Sequence, residues 1–169
     1  MTGEVLRIVS GGQSGVDRAA LDWAIAHGVP YAGWCPAGGR AEDLTEPPGL
    51  LARYAGLRVT PSSDPAERTR WNVRDSDVTL VVTGAPSPGT ELTVAVAREL
   101  GRPCVVTDGG EGVVPALVGA LGGFGGGVTL NVAGPRASEC AKGYDVTWGA
   151  LDRLAAQGLV SIGSGQREG

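Results

Sequence analysis

The sequence predicts a doubly wound α/β fold with a mostly parallel sheet in a single domain. Short apolar runs of strand length alternate with longer segments whose apolar residues recur at helical spacing. A chain of 169 residues suits one domain with a sizeable core. Two of the apolar runs pass through a glycine-bearing loop directly into a helix, as in sheets that bind ligands beyond the carboxyl ends of their strands.

The predicted strands and helices alternate along almost the whole chain. The strands are Val5–Val9, Val29–Pro36, Leu57–Thr60, Val78–Thr83, Cys104–Thr107 and Val128–Val132. The helices are Val16–Gly28, Leu50–Tyr54, Ala66–Arg74, Leu92–Leu100, Pro115–Leu121 and Tyr144–Ala156. The third strand is expected at an edge of the sheet, and the fourth is expected to be a buried central strand. Residues 1–160 form the predicted domain, and residues 161–169 a flexible tail.

The loop after the first strand is typical of phosphate binding. It reads G-G-Q-S-G at residues 11–15 and leads into a helix. Glycine has no Cβ, so the backbone can approach a ligand closely. The first amides of the helix then point outward at the positive end of its dipole, where an anion binds. Ser14 and Asp17 also fit an N-capping box, which would satisfy those amides without a ligand.

A second loop of the same kind follows the fourth strand. It runs from Thr83 to Glu91 and again leads into a helix. If strands one and four are neighbours, both helix N-termini face the same ligand, because the carboxyl ends of parallel strands meet at one edge of the sheet.

Three arginines near the loops are candidates for binding the anion. Arg18 follows the first loop and pairs either with the anion or with Asp17. Arg40 lies in a polar loop with Glu42 and Asp43, either of which could hold it against an anion; the alternative is a solvated loop. Arg136 ends the motif after the sixth strand.

The short polar helix before the fourth strand carries Arg68 and Asn72 on one face. These two side chains bind each other, or a neighbouring subunit. Asp75 and Asp77 follow at the amino end of the strand, the end away from ligand sites in parallel sheets. They are therefore expected to be turn or capping residues.

Two common nucleotide-binding signatures are missing. A P-loop requires Lys after its last glycine, and none follows Gly15. The dinucleotide motif G-x-G-x-x-G and the acid at the end of the second strand are also absent. These absences disfavour ordinary NAD binding and P-loop NTP hydrolysis.

Composition indicates a cytoplasmic protein with a small ligand. The formal charge of −4 argues against nucleic-acid binding, which requires clustered basic residues. No apolar stretch approaches the roughly 20 residues that span a bilayer, so no membrane association is expected, and no signal peptide is apparent. Three cysteines suggest free thiols, and a single His without a C-x-x-C motif disfavours a structural zinc site.

Five blocks resemble the molybdenum carrier protein family, in the same order. They are S-G-G-Q-S-G-V-D-R-A-A-L-D at 10–22, G-W-C-P-A-G-G-R-A-E-D at 33–43, R-T-R-W-N-V-R-D-S-D at 68–77, P-G-T at 88–90 and L-N-V-A-G-P-R at 130–136. The resemblance implies a Rossmann-like fold, shared with nucleoside-monophosphate phosphoribohydrolases once called lysine decarboxylase-like proteins. It also implies binding of the molybdenum cofactor, a pterin dithiolene with a terminal phosphate.

The second loop departs from the motif of the related hydrolases, P-G-G-x-G-T-x-x-E. Glu91 follows Thr90 directly, and Thr93 stands where the hydrolases have the acid. A shift of two helical positions rotates a side chain by about 200°. We therefore expect Glu91 not to fill the role of the hydrolase acid.

The first functional hypothesis is a non-catalytic carrier or storage protein for the molybdenum cofactor. The expected ligand-binding residues are Gly11, Gly12, Gln13, Ser14, Gly15, Arg18, Arg40, Gly89, Thr90, Asn131, Gly134 and Arg136. The side-chain amides of Gln13 and Asn131 would form hydrogen bonds with the polar edges of the ligand's ring system. No protein ligand to the metal is expected, and Cys35 is assigned to the core. Molybdoenzymes are possible recipients of the cofactor.

Two alternatives remain open from the sequence. One is a phosphoribohydrolase or another hydrolase of nucleotides or sugar phosphates, with Glu91 or Asp17 as general acid or base. The other is a sensor, or a subunit of a larger assembly, with Trp71 as an exposed anchor for self-association. The related proteins commonly form dimers or tetramers, so the resemblance implies a homo-oligomer.

Overall fold

Six parallel strands form the central sheet of the computed structural model, which describes residues 2–163. The strands are β1 (Glu4–Val9), β2 (Tyr31–Cys35), β3 (Leu57–Val59), β4 (Val78–Val82), β5 (Cys104–Thr107) and β6 (Gly127–Ala133). Their order across the sheet is β3-β2-β1-β6-β4-β5, and every pairing is parallel. The prediction of a doubly wound, Rossmann-like α/β fold is confirmed.

Helices cover both faces of this sheet. They are α1 (Val16–Ala26), α2 (Leu50–Arg53), α3 (Pro65–Arg74), α4 (Pro88–Glu99), α5 (Val113–Leu121) and α6 (Gly143–Ala156), with a short 3-10 turn at Ala37–Gly39. Apolar residues of α1, α5 and α6 pack together with one face of the strands in the main core. Helices α3 and α4 share a smaller apolar cluster on the other side.

The two faces of the sheet differ because side chains alternate along each strand. Ile8, Leu80 and Leu130 are fully buried in the main core. The neighbouring residues Thr79 and Asn131 are buried on the opposite face, where polar side chains lie under α3 and α4. The second face is therefore the more polar one, while the first carries the larger apolar cluster.

The strand order settles a condition that the sequence left open. Strands β1 and β4 are not neighbours, because β6, the last strand in the described part of the chain, lies between them and pairs with both. Asn131 of β6 lies opposite Val9 of β1 on one side and Thr79 of β4 on the other. The carboxyl ends of three strands, rather than two, therefore meet at the centre of the edge.

The chain after α6 remains attached to the domain as far as it is described. Val160 forms a parallel bridge with Val5, and the Gly163 N–H donates to the His27 carbonyl at 2.9 Å. The remainder of the predicted tail, residues 164–169, lies outside the described residues. None of the helices within residues 2–163 has the length and apolarity needed to cross a membrane.

Candidate functional site

A polar cleft lies where β1, β6 and β4 end, beneath α3 and the first turns of α1 and α4. Its volume is about 60 Å³. The residues that line it are Gly11, Asp17, Arg68, Thr69, Asn72, Gly89, Thr90, Thr93, Asn131, Ala133 and Gly134. The cleft occupies the position at which open parallel sheets bind ligands.

The charges in the polar cleft belong to Asp17 and Arg68. Nη1 of Arg68, from α3, donates to Oδ2 of Asp17, from the first turn of α1, at 3.1 Å. The side chains are only 15% and 5% exposed, respectively. Burial raises the pKa of the Asp17 carboxyl, although Arg68 and the backbone amides of Gln13 and Gly134 favour its ionised form.

The Arg68 guanidinium retains an unused donor. Its Nε atom is buried and has no hydrogen-bond partner within residues 2–163. A buried donor without a partner carries a desolvation cost. The Asp17 carboxylate thus satisfies only part of the guanidinium.

Asn72 holds Arg68 in place. Its side chain accepts a hydrogen bond from the Trp34 N–H at 2.8 Å and donates to the Trp34 carbonyl at 2.9 Å. These two bonds fasten α3 to β2. Arg68 lies one turn earlier on the same helix face, so it reaches the polar cleft. The two side chains therefore do not bind each other, contrary to one of the two expectations from the sequence.

The second loop offers an unused amide to the cleft. Ser87 caps α4 and forms a capping box with Thr90, whose hydroxyl accepts from the Ser87 N–H at 2.9 Å. The next amide, the N–H of Gly89, has no hydrogen-bond partner in the described part of the chain. It lies at the positive end of a twelve-residue helix. Gly89 and Arg68 both line the cleft.

The first loop is closed by the protein itself. The Val16 N–H donates to the Pro135 carbonyl at 3.5 Å, and the Arg18 N–H donates to the Gln13 carbonyl at 3.0 Å. The predicted capping box of Ser14 and Asp17 is wrong, because α1 begins after Gly15 without a side-chain cap. Asp17 points to Arg68 instead.

The polar side chains of the first loop bind neighbouring loops. Gln13 Oε1 accepts from the backbone amides of Ser14 and Glu42, at 3.0 and 2.9 Å. The Ser14 hydroxyl donates to Glu42 at 2.5 Å and accepts from the Ala137 N–H at 3.1 Å. This arrangement joins the loops after β1, β2 and β6.

None of the three predicted arginines lines the polar cleft. Arg18 makes a bidentate pair with Asp43, both bonds measuring 2.9 Å, and its Nε donates to the Gly12 carbonyl. The hydrogen bond from Arg18 lowers the pKa of the Asp43 carboxyl. Arg136 pairs with Glu139 at 3.0 Å on the surface. Arg40 is exposed and forms no ion pair with any described residue.

Glu91 and Thr93 face different sides of α4. Thr93 is buried and lines the polar cleft, where its hydroxyl donates to the Gly89 carbonyl at 3.0 Å. Glu91 is exposed and lies on a neighbouring groove. The predicted rotation of the acid away from the site agrees with this placement.

The structure brings together part of the predicted site. Five of the predicted residues line the polar cleft: Gly11, Gly89, Thr90, Asn131 and Gly134. The other seven lie elsewhere: Gly12, Gln13, Ser14, Gly15, Arg18, Arg40 and Arg136. Sequence reasoning missed Arg68 as a cleft residue. The available signal was its four-residue spacing from Asn72 on a polar helix that precedes a buried strand.

The parallel sheet, the helices on both faces and the polar cleft define a Rossmann-like α/β protein. Residues 8–155 match the family described as circularly permutated YpsA SLOG family (cpYpsA), and the chain belongs to that family. A solved structure from Syntrophus aciditrophicus SB, named "Putative molybdenum carrier protein", is 34% identical. It aligns with a TM-score of 0.77 over 91% of this chain and 97% of that chain. No curated protein matches. The resemblance to molybdenum carrier proteins is confirmed.

Proposed function

We propose that this protein binds a phosphorylated small molecule in the polar cleft and carries it without catalysis. The molybdenum cofactor is the ligand we favour, with its terminal phosphate in the cleft. The observation that carries the proposal is that Arg68 and Gly89 line the same cleft, while the buried Nε of Arg68 and the N–H of Gly89 have no hydrogen-bond partner within residues 2–163. A guanidinium donor and a helix N-terminal amide are typical partners of a phosphate oxygen.

The size of the cleft supports an oxyanion rather than a whole cofactor. A volume of about 60 Å³ suits one phosphate group. The remainder of a larger ligand must then lie outside, near the loops that follow β1, β4 and β6. The name of the structure from S. aciditrophicus supports molybdenum-related cargo for this family. As a cytoplasmic carrier, the protein would deliver the cofactor to molybdoenzymes.

The side chains near the polar cleft suit a molybdenum cofactor that the protein holds through the cofactor's phosphate and not through its metal. Within residues 2–163, no group of three or more His, Cys, Asp or Glu side chains is placed to hold a metal ion. Cys35 is buried and donates to the Arg58 carbonyl at 3.4 Å. The cofactor's dithiolene supplies the ligands of its own metal, so this chain needs only to hold the phosphate and shield the ring.

One observation favours an enzyme as the second candidate. Asp17 is the single carboxylate among the residues lining the cleft, and burial raises its pKa, as is typical of a general acid. Against this, Thr93 stands where the related hydrolases have their acid, and Glu91 lies outside the cleft. Glycoside hydrolysis normally requires two carboxylates.

Ligand titration with two matched arginine variants tests the proposal. Native mass spectrometry would first identify any ligand in protein purified from cells that make the cofactor. The protein is then titrated with molybdenum cofactor, AMP, molybdate and inorganic phosphate. Arg68→Lys keeps a positive charge beside Asp17 but loses the planar donor fork. We expect cofactor affinity to fall about tenfold or more in Arg68→Lys and to stay unchanged in the surface control Arg136→Lys.

The outcomes separate the two candidates. Stoichiometric cofactor binding that depends on Arg68 supports the carrier. An equal loss in Arg136→Lys, or none in Arg68→Lys, places the phosphate outside the polar cleft. Preferred binding of AMP, with adenine released over time and lost in Asp17→Asn, establishes a phosphoribohydrolase instead. Tight binding of molybdate alone would make the free oxyanion the cargo.

A further inference from the structure

The polar cleft has a carboxylate and a guanidinium in its wall. Asp17 and Arg68 both line it, and their opposite charges leave the lining residues within 2–163 with no net charge. A volume of about 60 Å³ holds one tetrahedral oxyanion, so a group that fills the cleft lies beside the carboxylate as well as the guanidinium. An oxyanion without a proton has only acceptor oxygens, and a carboxylate repels it.

The hydroxyl groups of the cleft are already used as donors by the protein. Thr69, Thr90 and Thr93 each donate to a backbone carbonyl three or four residues earlier in the chain, at 3.0–3.1 Å. A hydroxyl has one proton, so these three have none left for a ligand. Asp17, by contrast, accepts a side-chain hydrogen bond only from Arg68 within residues 2–163. A carboxylate has about four acceptor sites, so Asp17 can accept a further hydrogen bond.

We propose that Asp17 selects oxyanions that carry a proton, by accepting a hydrogen bond from a P–OH group of the ligand while Arg68 binds an oxygen without a proton. This inference rests on the proposed phosphate site and adds which oxyanion that site accepts. Inorganic phosphate retains a proton in neutral solution, and a phosphate monoester takes one up with a pKa of about 6. Sulfate and molybdate have no proton under these conditions. The site therefore binds hydrogen phosphate groups and rejects both of the other oxyanions.

The burial of Asp17 strengthens this selection. The residue is 4% exposed, and burial raises the pKa of its carboxyl, which favours a proton between the carboxyl and the ligand. A buried acceptor that faces an oxygen without a proton loses its hydrogen bond to water and gains only repulsion. Arg68 is the charged group that acts on Asp17, and the other lining residues carry no charge. A monoester dianion therefore binds together with one proton from solvent, shared between Asp17 and a phosphate oxygen.

Isothermal titration calorimetry with three matched oxyanions tests this selection. Hydrogen phosphate, monofluorophosphate and sulfate are all dianions at pH 8 and have nearly the same tetrahedral shape, but only hydrogen phosphate has a proton to donate. We expect the wild-type chain to bind hydrogen phosphate about a hundredfold or more tightly than the other two. The reason is that a site built around a ligand hydroxyl strongly rejects analogues that lack it.

Asp17→Asn replaces the carboxylate by an amide of similar size that can donate hydrogen bonds. We expect the preference for hydrogen phosphate over sulfate to fall about tenfold or more in this variant, because sulfate binds more tightly once the like charge is removed. Asp145→Asn makes the same charge change at an exposed residue of α6 and should leave the preference unchanged. Circular dichroism verifies that each variant is folded, and the comparison of the three oxyanions in the wild type requires no variant.

The outcomes distinguish this inference from the proposed function. Equal binding of hydrogen phosphate and monofluorophosphate by the wild type overturns the inference, and so does an unchanged preference in folded Asp17→Asn. The proposed phosphate site still stands in those cases if hydrogen phosphate binds and its affinity falls in Arg68→Lys. If none of the three oxyanions binds, or if Arg68→Lys has no effect on binding, the proposed function fails together with the inference.

Discussion

The two glycine loops look alike in the sequence but differ in the structure. Each follows a strand and leads into a helix. The loop at residues 11–15 is closed by the Pro135 and Gln13 carbonyls and fastened by Ser14 to Glu42. In the loop before α4, Ser87 caps the helix, and the Gly89 N–H has no hydrogen-bond partner among the described residues. Glycine in a loop thus indicates a backbone bend or a close backbone contact. It does not indicate whether the contacting group belongs to a ligand or to the protein.

The glycines themselves show this difference. Gly15 has φ +85°, and a Cβ there would lie 2.8 Å from the Pro135 carbonyl oxygen. At Gly89, a Cβ would meet nothing within 4 Å. The first loop therefore needs glycine to pack against the loop after β6, whereas the second has open space beside it.

Removing Arg68 is expected to have the largest effect, because its guanidinium forms the buried ion pair with Asp17. Arg68→Ala leaves the buried Asp17 without its cation, and breaking such a pair costs about 3–5 kcal/mol of unfolding free energy. Urea unfolding at neutral pH measures this loss. The control Arg136→Ala removes a surface pair and should change stability by less than about 0.5 kcal/mol. Equal small losses would mean that Asp17 is not held by Arg68.

The two glycines provide a direct test of the comparison. Gly15→Ala is expected to cost about 3 kcal/mol, since it combines a positive φ with a clash against backbone atoms. Gly89→Ala should change stability by less than about 0.5 kcal/mol. Thermal and urea unfolding of the pair measure both values. Similar costs at the two positions would remove the distinction between a packed and an open loop.

Ser87 is expected to matter moderately, because it caps only the second helix. Ser87→Ala removes the side-chain acceptor of the Thr90 N–H and should cost about 1 kcal/mol. The matching change Ser14→Ala does not remove a helix cap, since α1 has none. Hydrogen exchange of the amides in the first turn of α4 should be faster in Ser87→Ala than in the wild type. In Ser14→Ala, the exchange rates of the α1 amides should be unchanged. Increased exchange in α1 would instead show that Ser14 supports that helix.

The smallest expected effect is the acid dependence of the first loop. Hydrogen bonds from Ser138 and Ser14 lower the pKa of Glu42, and those from Arg18 lower the pKa of Asp43. Because both pKa values are lower in the folded chain, their contribution is present above about pH 4 and is lost as the pH falls further. The effect is small, since the Asp43 side chain is 46% exposed.

The double variant Glu42→Gln/Asp43→Asn tests that acid dependence. It should be less stable than the wild type at pH 7 and should lose less stability on acidification. Urea unfolding at several pH values measures both. An unchanged acid slope would show that these carboxylates do not clamp the loop.

Local patterns were sufficient for much of the fold. The spacing of apolar residues predicted the six strands and six helices of the described chain to within a few residues, and the positions of glycines predicted the loops between them. The position of Glu91 away from the cleft was also predictable. Residues 90, 91 and 93 lie on one turn of helix, so their directions depend only on helical geometry.

Longer-range features could not be read from those patterns. The insertion of β6 between β1 and β4 depends on pairing between strands that are distant in the sequence. The strands are similar in length and apolar composition, so their sequences do not predict which of them lie side by side. The same limit applies to Ser14, Gln13 and Arg18. They have the chemistry to bind a phosphate, yet Glu42 and Asp43, some 25 to 29 residues away, occupy them.

The α/β class, the elements and the two strand–loop–helix units could be predicted from local patterns, because they depend on interactions between residues close in the chain. Which groups line the cleft depends on long-range packing. Asp17 and Arg68 meet across 51 residues because α1 and α3 converge on the ends of the same strands. Within residues 2–163, that convergence leaves one guanidinium donor and one helix amide without protein partners, and the spacing of residues along the sequence does not predict this.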